Sequence, residues 1–269
     1  MKLTTALIFC CALTAFSQYE NKGGNEQMER FPWPDNTQCA VSLTFDDARL
    51  SQIEKGMPLL DKYNIKATFY ISPDNCLHYL DEWKKAAASG HEIGNHTFTH
   101  PCTGNYAFSR NNALENYTPE RMASDIDKAN EFIEEHFGQP AASFAYPCGQ
   151  KFVGRGEKCR SYVPLVANRF KAGRSWLDED SNDPWFCDTS RLLAMEADGK
   201  SFQQLKELIL AARQEGRWII FAGHEMQESG AQTTLLASLD SLCQFMKDPA
   251  NGIWVDTVEH IATYVENNR

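Results

Sequence analysis

Two short groups of side chains in this sequence have the composition of a reaction centre. Asp46 and Asp47 stand side by side at the end of an apolar run, and His96 and His100 stand four residues apart in Asn95-His96-Thr97-Phe98-Thr99-His100. Each has an ordinary structural use. An Asp pair after a strand makes Asx turns or caps a helix, and paired histidines are satisfied by hydrogen bonds in packed loops. Read on a helical turn, the four-residue spacing puts both imidazoles on one face, where a carboxylate from elsewhere could join them around a metal. Two histidines and one aspartate leave coordination positions open for water, which is the arrangement of a catalytic metal site.

Such residues need elements that bring them to one place. From Cys39 onward, short apolar runs alternate with helical patterns. Strands are predicted at Ala40 to Phe45, Ala67 to Ile71, Glu92 to Asn95, Ser143 to Tyr146, Ala172 to Trp176, Leu192 to Met195, Trp218 to Phe221 and Ile253 to Val255. Helices are predicted at Ile53 to Tyr63, Leu80 to Ser89, Pro119 to Phe137, Phe202 to Glu215, Thr234 to Lys247 and Val258 to Asn267. Thr118 before Pro119 and Ser201 before Phe202 are capping side chains, and Gly138 and Gly216 end the helices they follow. This alternation suits a parallel α/β sheet or a (β/α) barrel.

In those folds reactive side chains gather where strands end, because the loops there converge on one face. Four polar groups fall at that end: Thr44-Phe45-Asp46-Asp47, Asn95 to His100, Ala145-Tyr146-Pro147-Cys148-Gly149, and Ala222-Gly223-His224. A lone histidine such as His224 is more often structural, yet its ordinary pKa near neutrality also suits a general acid.

In content and order these groups resemble the polysaccharide deacetylases of the NodB-homology, carbohydrate esterase 4 type. Thr44-Phe45-Asp46-Asp47 is similar to that family's first motif and His96-Thr97-Phe98-Thr99-His100-Pro101 to its second, with looser matches at Phe144 to Gly149 and Ala222 to His224. The resemblance spans about Cys39 to Val265. It implies an α/β fold, a distorted (β/α) barrel of the seven-stranded type, in one catalytic domain over residues 38–269. It also implies Asp46 as general base, His224 as general acid, and Asp47, His96 and His100 as metal ligands. A dication so held lowers the pKa of water and polarises an acetyl carbonyl. Two imidazoles and a carboxylate suit Zn, with Co or Ni allowed by softness and geometry. The main chain of Cys148 stands where a family tyrosine's backbone holds the oxyanion. Tyr146, Cys148, Arg174 and Trp176 are accordingly the expected oxyanion and substrate-binding residues.

The implied reaction removes N-acetyl groups from an amino-sugar glycan, chitin-like or peptidoglycan-like. Two alternatives stay open: hydrolysis of O-acetyl groups on a polysaccharide such as xylan, and a glycan-binding member that has lost catalysis. The second is motivated by Ala145, where the family places an arginine that orients the base, and by Ala222, where it places a leucine. Arg174, at the end of the next strand, either supplies the missing charge or is a solvated surface arginine. Trp176, Asp183 and Trp185 are candidates for the family's acidic and tryptophan element, and a tryptophan there could stack on sugar. Cys102 reads as a packed thiol or disulfide partner rather than a ligand.

Composition bounds the partners. With 26 Lys plus Arg against 36 Asp plus Glu, the net charge of −10 argues against a surface that tracks nucleic-acid phosphates and fits a neutral or amine-bearing glycan. Lys2, the apolar stretch Leu3 to Phe16 and Ala15-Phe16-Ser17 predict a signal peptide over residues 1–17. That stretch is too short for a bilayer, which takes about 20 residues. Bulky Phe9 before Cys10 argues against a lipoprotein anchor, so a secreted or periplasmic protein with no stable membrane span is expected. Residues 18–37, with Gly23-Gly24, Pro32 and Pro34, read as a solvated linker. Cleavage removes Cys10 and Cys11 and leaves seven cysteines, an odd number, where disulfides are permitted. Look-alikes of a calcium loop at Asp178 to Asp183 and of a phosphate loop ending in Gly199-Lys200-Ser201 lack required glycines.

Overall fold

A computed structural model describes residues 30–269. The expected signal peptide, Cys10 and Cys11, and the first part of the expected linker lie outside the described residues. In chain order the strands are β1 (Cys39–Asp46), β2 (Thr68–Ile71), β3 (Glu92–Asn95), β4 (Ser143–Ala145), β5 (Phe152–Val153), β6 (Arg160–Ser161), β7 (Ala172–Arg174), β8 (Met195–Glu196), β9 (Trp218–Gly223), β10 (Glu225–Gln227), β11 (Thr233–Leu235) and β12 (Ile253–Val255). The helices are α1 (Met57–Lys62), α2 (Pro73–Leu77), α3 (Leu80–Ala88), α4 (Pro119–Phe137), α5 (Val163–Ala167), α6 (Phe202–Glu215), α7 (Leu236–Lys247) and α8 (Val258–Asn268).

Seven strands lie side by side in the order β7-β4-β3-β2-β1-β9-β8, all parallel. β12 adds to β1 at Cys39 to Val41, below the stretch Thr44 to Asp46 that pairs with β2. The sheet curls until its edges meet on one short segment. Leu192 bridges to Arg174 of β7, and a few residues on, β8 pairs with β9. This closure makes the distorted (β/α) barrel, and it explains why the strand predicted at Leu192 to Met195 is split between two neighbours.

Side chains alternate along a strand, so a sheet closed on itself and covered by helices buries both faces. All of β1 is buried. Val41, Leu43 and Phe45 join Leu60, Phe69, Leu205 and Phe221 in the larger apolar cluster. Ala40 instead joins Trp218, Ile220, Ala172 and Leu192, closed off by Val258, Ile261 and Val265 of α8. Towards the strand ends that second face turns polar, through Ser42 and Thr44 to Asp46. Gly94 of β3 is required there: a Cβ would fall 2.4 Å from the Tyr70 ring.

The helices end as their sequences dictate. Thr118 accepts from Arg121 N, Ser201 and Gln204 form a capping box, and Gly138 and Gly216 take left-handed backbone. The helix expected from Ile53 begins instead as a wide turn over Gln52–Gly56, with α1 following. The helix expected from Thr234 starts at Leu236, because Thr233–Leu235 pairs with Glu225–Gln227.

The expected linker is corrected over its described part. Phe31 and Trp33 are buried, the Trp33 indole donates to Gly216 O at 2.9 Å, and Tyr264 donates to Pro32 O at 2.5 Å. The proline-rich context signalled a solvated chain. Burying two aromatic side chains against Trp254 and Tyr264 outweighs that tendency.

Candidate active site

β1 delivers Asp46 and then turns sharply, with Asp47 and Ala48 at φ 73° and 51°. Asn75 holds this turn by donating to Asp47 O at 2.9 Å. The histidine pair, His96 and His100, is placed by a loop, which corrects the expectation of a helical turn. Thr97 and His100 take positive φ values of 63° and 46°, costly for a β-branched threonine. The conformation is held because Thr97 N donates to Asn95 Oδ1 at 2.8 Å and His100 N to Thr97 Oγ1 at 3.0 Å. The chain doubles back, and the two imidazole centroids end 4.7 Å apart.

Asp47 Oδ1 lies 3.7 Å from His96 Nε2 and 3.6 Å from His100 Nε2. Bonds of about 2.0–2.1 Å in a tetrahedral site place donors about 3.4 Å apart, so the set fits a small dication. Its protonation fits too. His96 Nδ1 is 2.9 Å from Ala145 O. A carbonyl only accepts, so Nδ1 carries the proton and the Nε2 lone pair faces Asp47. Burial pushes the His96 pKa down to about 4, leaving a neutral imidazole. Burial alone would raise the Asp47 carboxyl, but His96, His100 and Arg49 outweigh it and hold it well below the usual carboxylate range. Arg49 donates to Asp47 Oδ2 at 2.9 Å, which leaves Oδ1 turned to the histidines. A carboxylate and a neutral imidazole are the states a cation requires.

Arg174 is fully buried, so it is not the solvated surface arginine of the alternative reading. Its guanidinium donates to Asp46 Oδ1 and, at 3.0 Å, to Ser175 O, and lies 4.7 Å from the Tyr70 ring centroid. Arg174 pairs in register with Ala145. A guanidinium therefore reaches Asp46 from the strand beside the one where the family pattern would place it. Beneath it Tyr70 OH contacts Ser143 Oγ at 3.1 Å, and Ser143 donates to buried Glu92 at 2.5 Å.

These groups face one cavity of about 420 Å³, lined by Asp46, Asp47, His96, His100, Cys148, Trp176 and His224, with Arg49 and Phe108 at its margin. His224 Nδ1 lies 2.7 Å from Asp198 Oδ2, while Asp198 Oδ1 accepts from His224 N and Thr234 Oγ1. Burial alone would lower the His224 pKa; the Asp198 hydrogen bond and the charges of Asp46, Asp198 and Asp47 more than offset it and raise it. The Trp176 ring sits 5.2 Å from that of His224. Gln52 ties two strand ends together, donating to Asp46 O at 2.6 Å and His224 O at 2.8 Å. Cys148 has a left-handed backbone, φ 52°, and is disulfide-bonded to Cys102, whose sulfur lies 3.8 Å from His100 Nδ1. Cys39, Cys76, Cys159, Cys187 and Cys243 are free thiols.

Tyr146 is a correction. Its side chain is buried away from the cavity against Phe144 and Tyr162, with its hydroxyl donating to Ser190 O at 2.7 Å. Strand alternation puts it on the face of Phe144, opposite Ser143 and Ala145. Trp185 packs on Phe31 and Asp183 accepts from Trp185 N, so Trp176 is the one of the three tryptophan-element candidates that reaches the cavity. Sequence reasoning missed Asp198, Arg49 and Gln52. Asp198 had a usable signal, an acidic residue just past the strand predicted at Leu192 to Met195; the other two had none.

Comparison with known proteins follows the same lines. Residues 34–155 match the polysaccharide deacetylase family. A stretch of 97 residues, 36% of this chain, is 35% identical to 27% of the uncharacterized protein YlxY of Bacillus subtilis. Another of 62 residues, 23% of this chain, is 42% identical to 22% of the peptidoglycan-N-acetylglucosamine deacetylase of Bacillus cereus. The chain thus matches about a quarter of the length of these curated relatives. In fold it is similar to the peptidoglycan deacetylase PdaC from Bacillus subtilis, with TM-score 0.54 and 17% identity over 87% of this chain and 94% of that one. The match over residues 34–155 takes in both of the motifs that carry Asp46, Asp47, His96 and His100, and the barrel continues beyond it to α8. Over residues 34–155 the chain is similar to the polysaccharide deacetylase family, and its fold is that of solved deacetylases.

Proposed function

We propose that this cavity hydrolyses N-acetyl groups on an amino-sugar glycan. One observation carries the reading: Asp47, His96 and His100 bring one ligand atom each within 4.8 Å of one another beside an arginine-paired carboxylate, Asp46, and an aspartate-paired histidine, His224. Bound by Asp47, His96 and His100, a divalent cation, Zn by its donor set with Co or Ni next, would acidify water and polarise the acetyl carbonyl. Asp46 is the general base. Arg174 fixes its Oδ1, leaving Oδ2, 3.8 Å from His96 Nε2, to take the proton of the attacking water. The Cys148 N–H, on a turn anchored by the disulfide, is the oxyanion donor. His224, kept protonated to higher pH by Asp198, gives its proton to the leaving amine. Trp176 lines the substrate side.

The N-acetylglucosamine class is supported by the name of the Bacillus cereus relative. Export to an oxidising compartment is supported by the Cys102–Cys148 disulfide. Among the described residues no helix is long and apolar enough to cross a membrane.

The test is acetate release from chitooligosaccharides and peptidoglycan fragments, abolished by chelation, restored by Zn, and lost in Asp46→Asn and His96→Ala. Activity that survives His96→Ala overturns the metal assignment. Comparing His224→Ala on amide and ester substrates separates N- from O-acetyl hydrolysis, because an alkoxide depends less on a general acid than an amine does. Glycan binding without acetate release, even with added metal, identifies a member that has lost catalysis.

A further inference from the structure

Among the described residues two groups of three side chains can converge on one metal ion, and both contain His100. One is Asp47, His96 and His100. The other is His100, Cys102 and Cys148, whose two sulfurs are joined in the disulfide. The groups address opposite nitrogens of one ring: His100 Nε2 lies 3.6 Å from Asp47 Oδ1, and Nδ1 lies 3.8 Å from Cys102 Sγ. With bonds of about 2.3 Å to sulfur and about 2.0–2.1 Å to nitrogen, a tetrahedral zinc ion holds sulfur about 3.6 Å from nitrogen and two sulfurs about 3.8 Å apart. The sulfur–nitrogen spacing is already close to that value. Only the sulfurs must separate, which opening the disulfide allows.

The two loops also have ties that are not covalent. Thr103 N donates to Gln150 Oε1 at 2.7 Å, and Ser109 exchanges hydrogen bonds with Cys102 N and O at 2.9 and 2.8 Å. Freed thiols therefore stay neighbours, with their side-chain torsions free to part them. Cys148 is partly exposed and lines the cavity, whereas Cys102 is buried. A dithiol entering from the cavity attacks Cys148 Sγ, and Cys102 leaves as a thiolate. The reductant's second thiol then attacks the mixed disulfide, releasing Cys148 and leaving the reductant oxidised to its own disulfide. A dication that takes both protein sulfurs displaces their protons and is neutralised in full, while Asp47 with two imidazoles cancels only one of its charges. Thiolates also suit zinc and softer metals better than a carboxylate does. An imidazole that binds a metal through one nitrogen carries its proton on the other, so His100 serves one group at a time.

We infer that opening the Cys102–Cys148 bridge creates a soft-metal site, His100–Cys102–Cys148, which withdraws His100 from the Asp47–His96–His100 group. The closed bridge thus commits His100 to the cavity. The site rests on its own ligand geometry, and its consequence for turnover rests on reading the cavity as a metal-dependent deacetylase. The experiment loads Co(II) into the oxidised and the reduced chain, the reductant, dithiothreitol, having been removed without air. It reads the thiolate-to-cobalt charge-transfer absorption and the number of ions bound per chain. Reduced wild type should bind one ion with the band, and oxidised wild type one ion without it. His96→Ala should bind none when oxidised and regain one, with the band, when reduced; loss of a loop anchor cannot produce such a gain. The free thiols Cys39, Cys76, Cys159, Cys187 and Cys243 are common to all samples. The band should therefore be lost in reduced Cys102→Ser/Cys148→Ser, and cobalt affinity should weaken at least about tenfold in reduced His100→Ala. With Zn, reduced wild type should release acetate at least about tenfold more slowly than the double serine variant, which lacks the bridge but has no thiolates there. A reduced wild type without the band, or a band that survives the double substitution, overturns the site. Two ions on the reduced chain, or acetate release equal to that of the double serine variant, overturns the withdrawal of His100. An oxidised chain that binds no cobalt and releases no acetate overturns the deacetylase reading and the withdrawal with it, while the band in the reduced protein still upholds the site.

Discussion

Removing the Cys102–Cys148 bridge, as Cys102→Ser with Cys148→Ser, tests whether the two loops beside the proposed metal ligands are held covalently or by their own packing. The bridge spans 46 residues. Closing a loop of that size in the unfolded chain costs about 13–14 cal/mol/K of entropy, or about 4 kcal/mol at 25 °C, and this is an upper bound because a compact unfolded state has less to lose. For a domain of this size about 1 kcal/mol moves Tm by about 2–4 °C, so the double variant should melt about 8–16 °C lower. Function should fall further than stability. Cys102 sits against His100 and Cys148 carries a strained left-handed backbone at the cavity wall, so both the proposed ligand and the proposed oxyanion donor lose their anchor. The assay pairs thermal unfolding by circular dichroism with Zn titration and acetate release at a temperature well below both transitions. A Tm within about 2 °C of wild type would refute the entropic argument. A lowered Tm with unchanged Zn affinity and turnover would refute the claim that the bridge positions the site. Using the double serine variant in place of a reductant leaves the five free thiols among the described residues unchanged between samples.

Arg174→Met should destabilise the fold by about 3–5 kcal/mol, measured by denaturant unfolding, because the buried Asp46 carboxylate loses its partner inside the barrel; unaltered stability would show that the pair is not a net support. In Asp198→Asn, His224 loses the hydrogen bond that raises its pKa, so the alkaline limb of kcat/KM should move to lower pH, and an unmoved limb would refute that role. The same linkage has a stability signature. A raised histidine pKa contributes fully below the ordinary histidine value and is lost as pH rises through the raised one, so the wild-type advantage over Asp198→Asn should shrink towards alkaline pH in thermal scans. Gly94→Ala should cost about 1–3 kcal/mol by overpacking against the Tyr70 ring, with a further loss of turnover as the ring beneath Arg174 shifts; a stable, fully active variant would show that the barrel interior yields at this point.

The barrel was legible because its signals are local. Apolar runs of strand length, capping residues such as Thr118 and Ser201, and terminating glycines at 138 and 216 act within a few residues of themselves, so the elements lie close to where the sequence places them. The strand-end rule then carried Asp46, Asp47, His96, His100 and His224 to one end of the sheet without knowledge of any contact. Where the reading failed, a distant or conformational choice was involved. Tyr146 lies in a matching motif, yet strand alternation sends its side chain into the core. Phe31 and Trp33 stand in a stretch composed like a linker, and their partners Trp254 and Tyr264 are more than two hundred residues away. Composition and periodicity therefore determine which elements form and which polar residues reach the open end of the barrel. Only curling and closure of the sheet decide that Arg174 meets Asp46 and that Asp198 meets His224, because those pairings depend on the positions of strands β7, β1, β8 and β9 around a ring, which no local stretch of chain encodes.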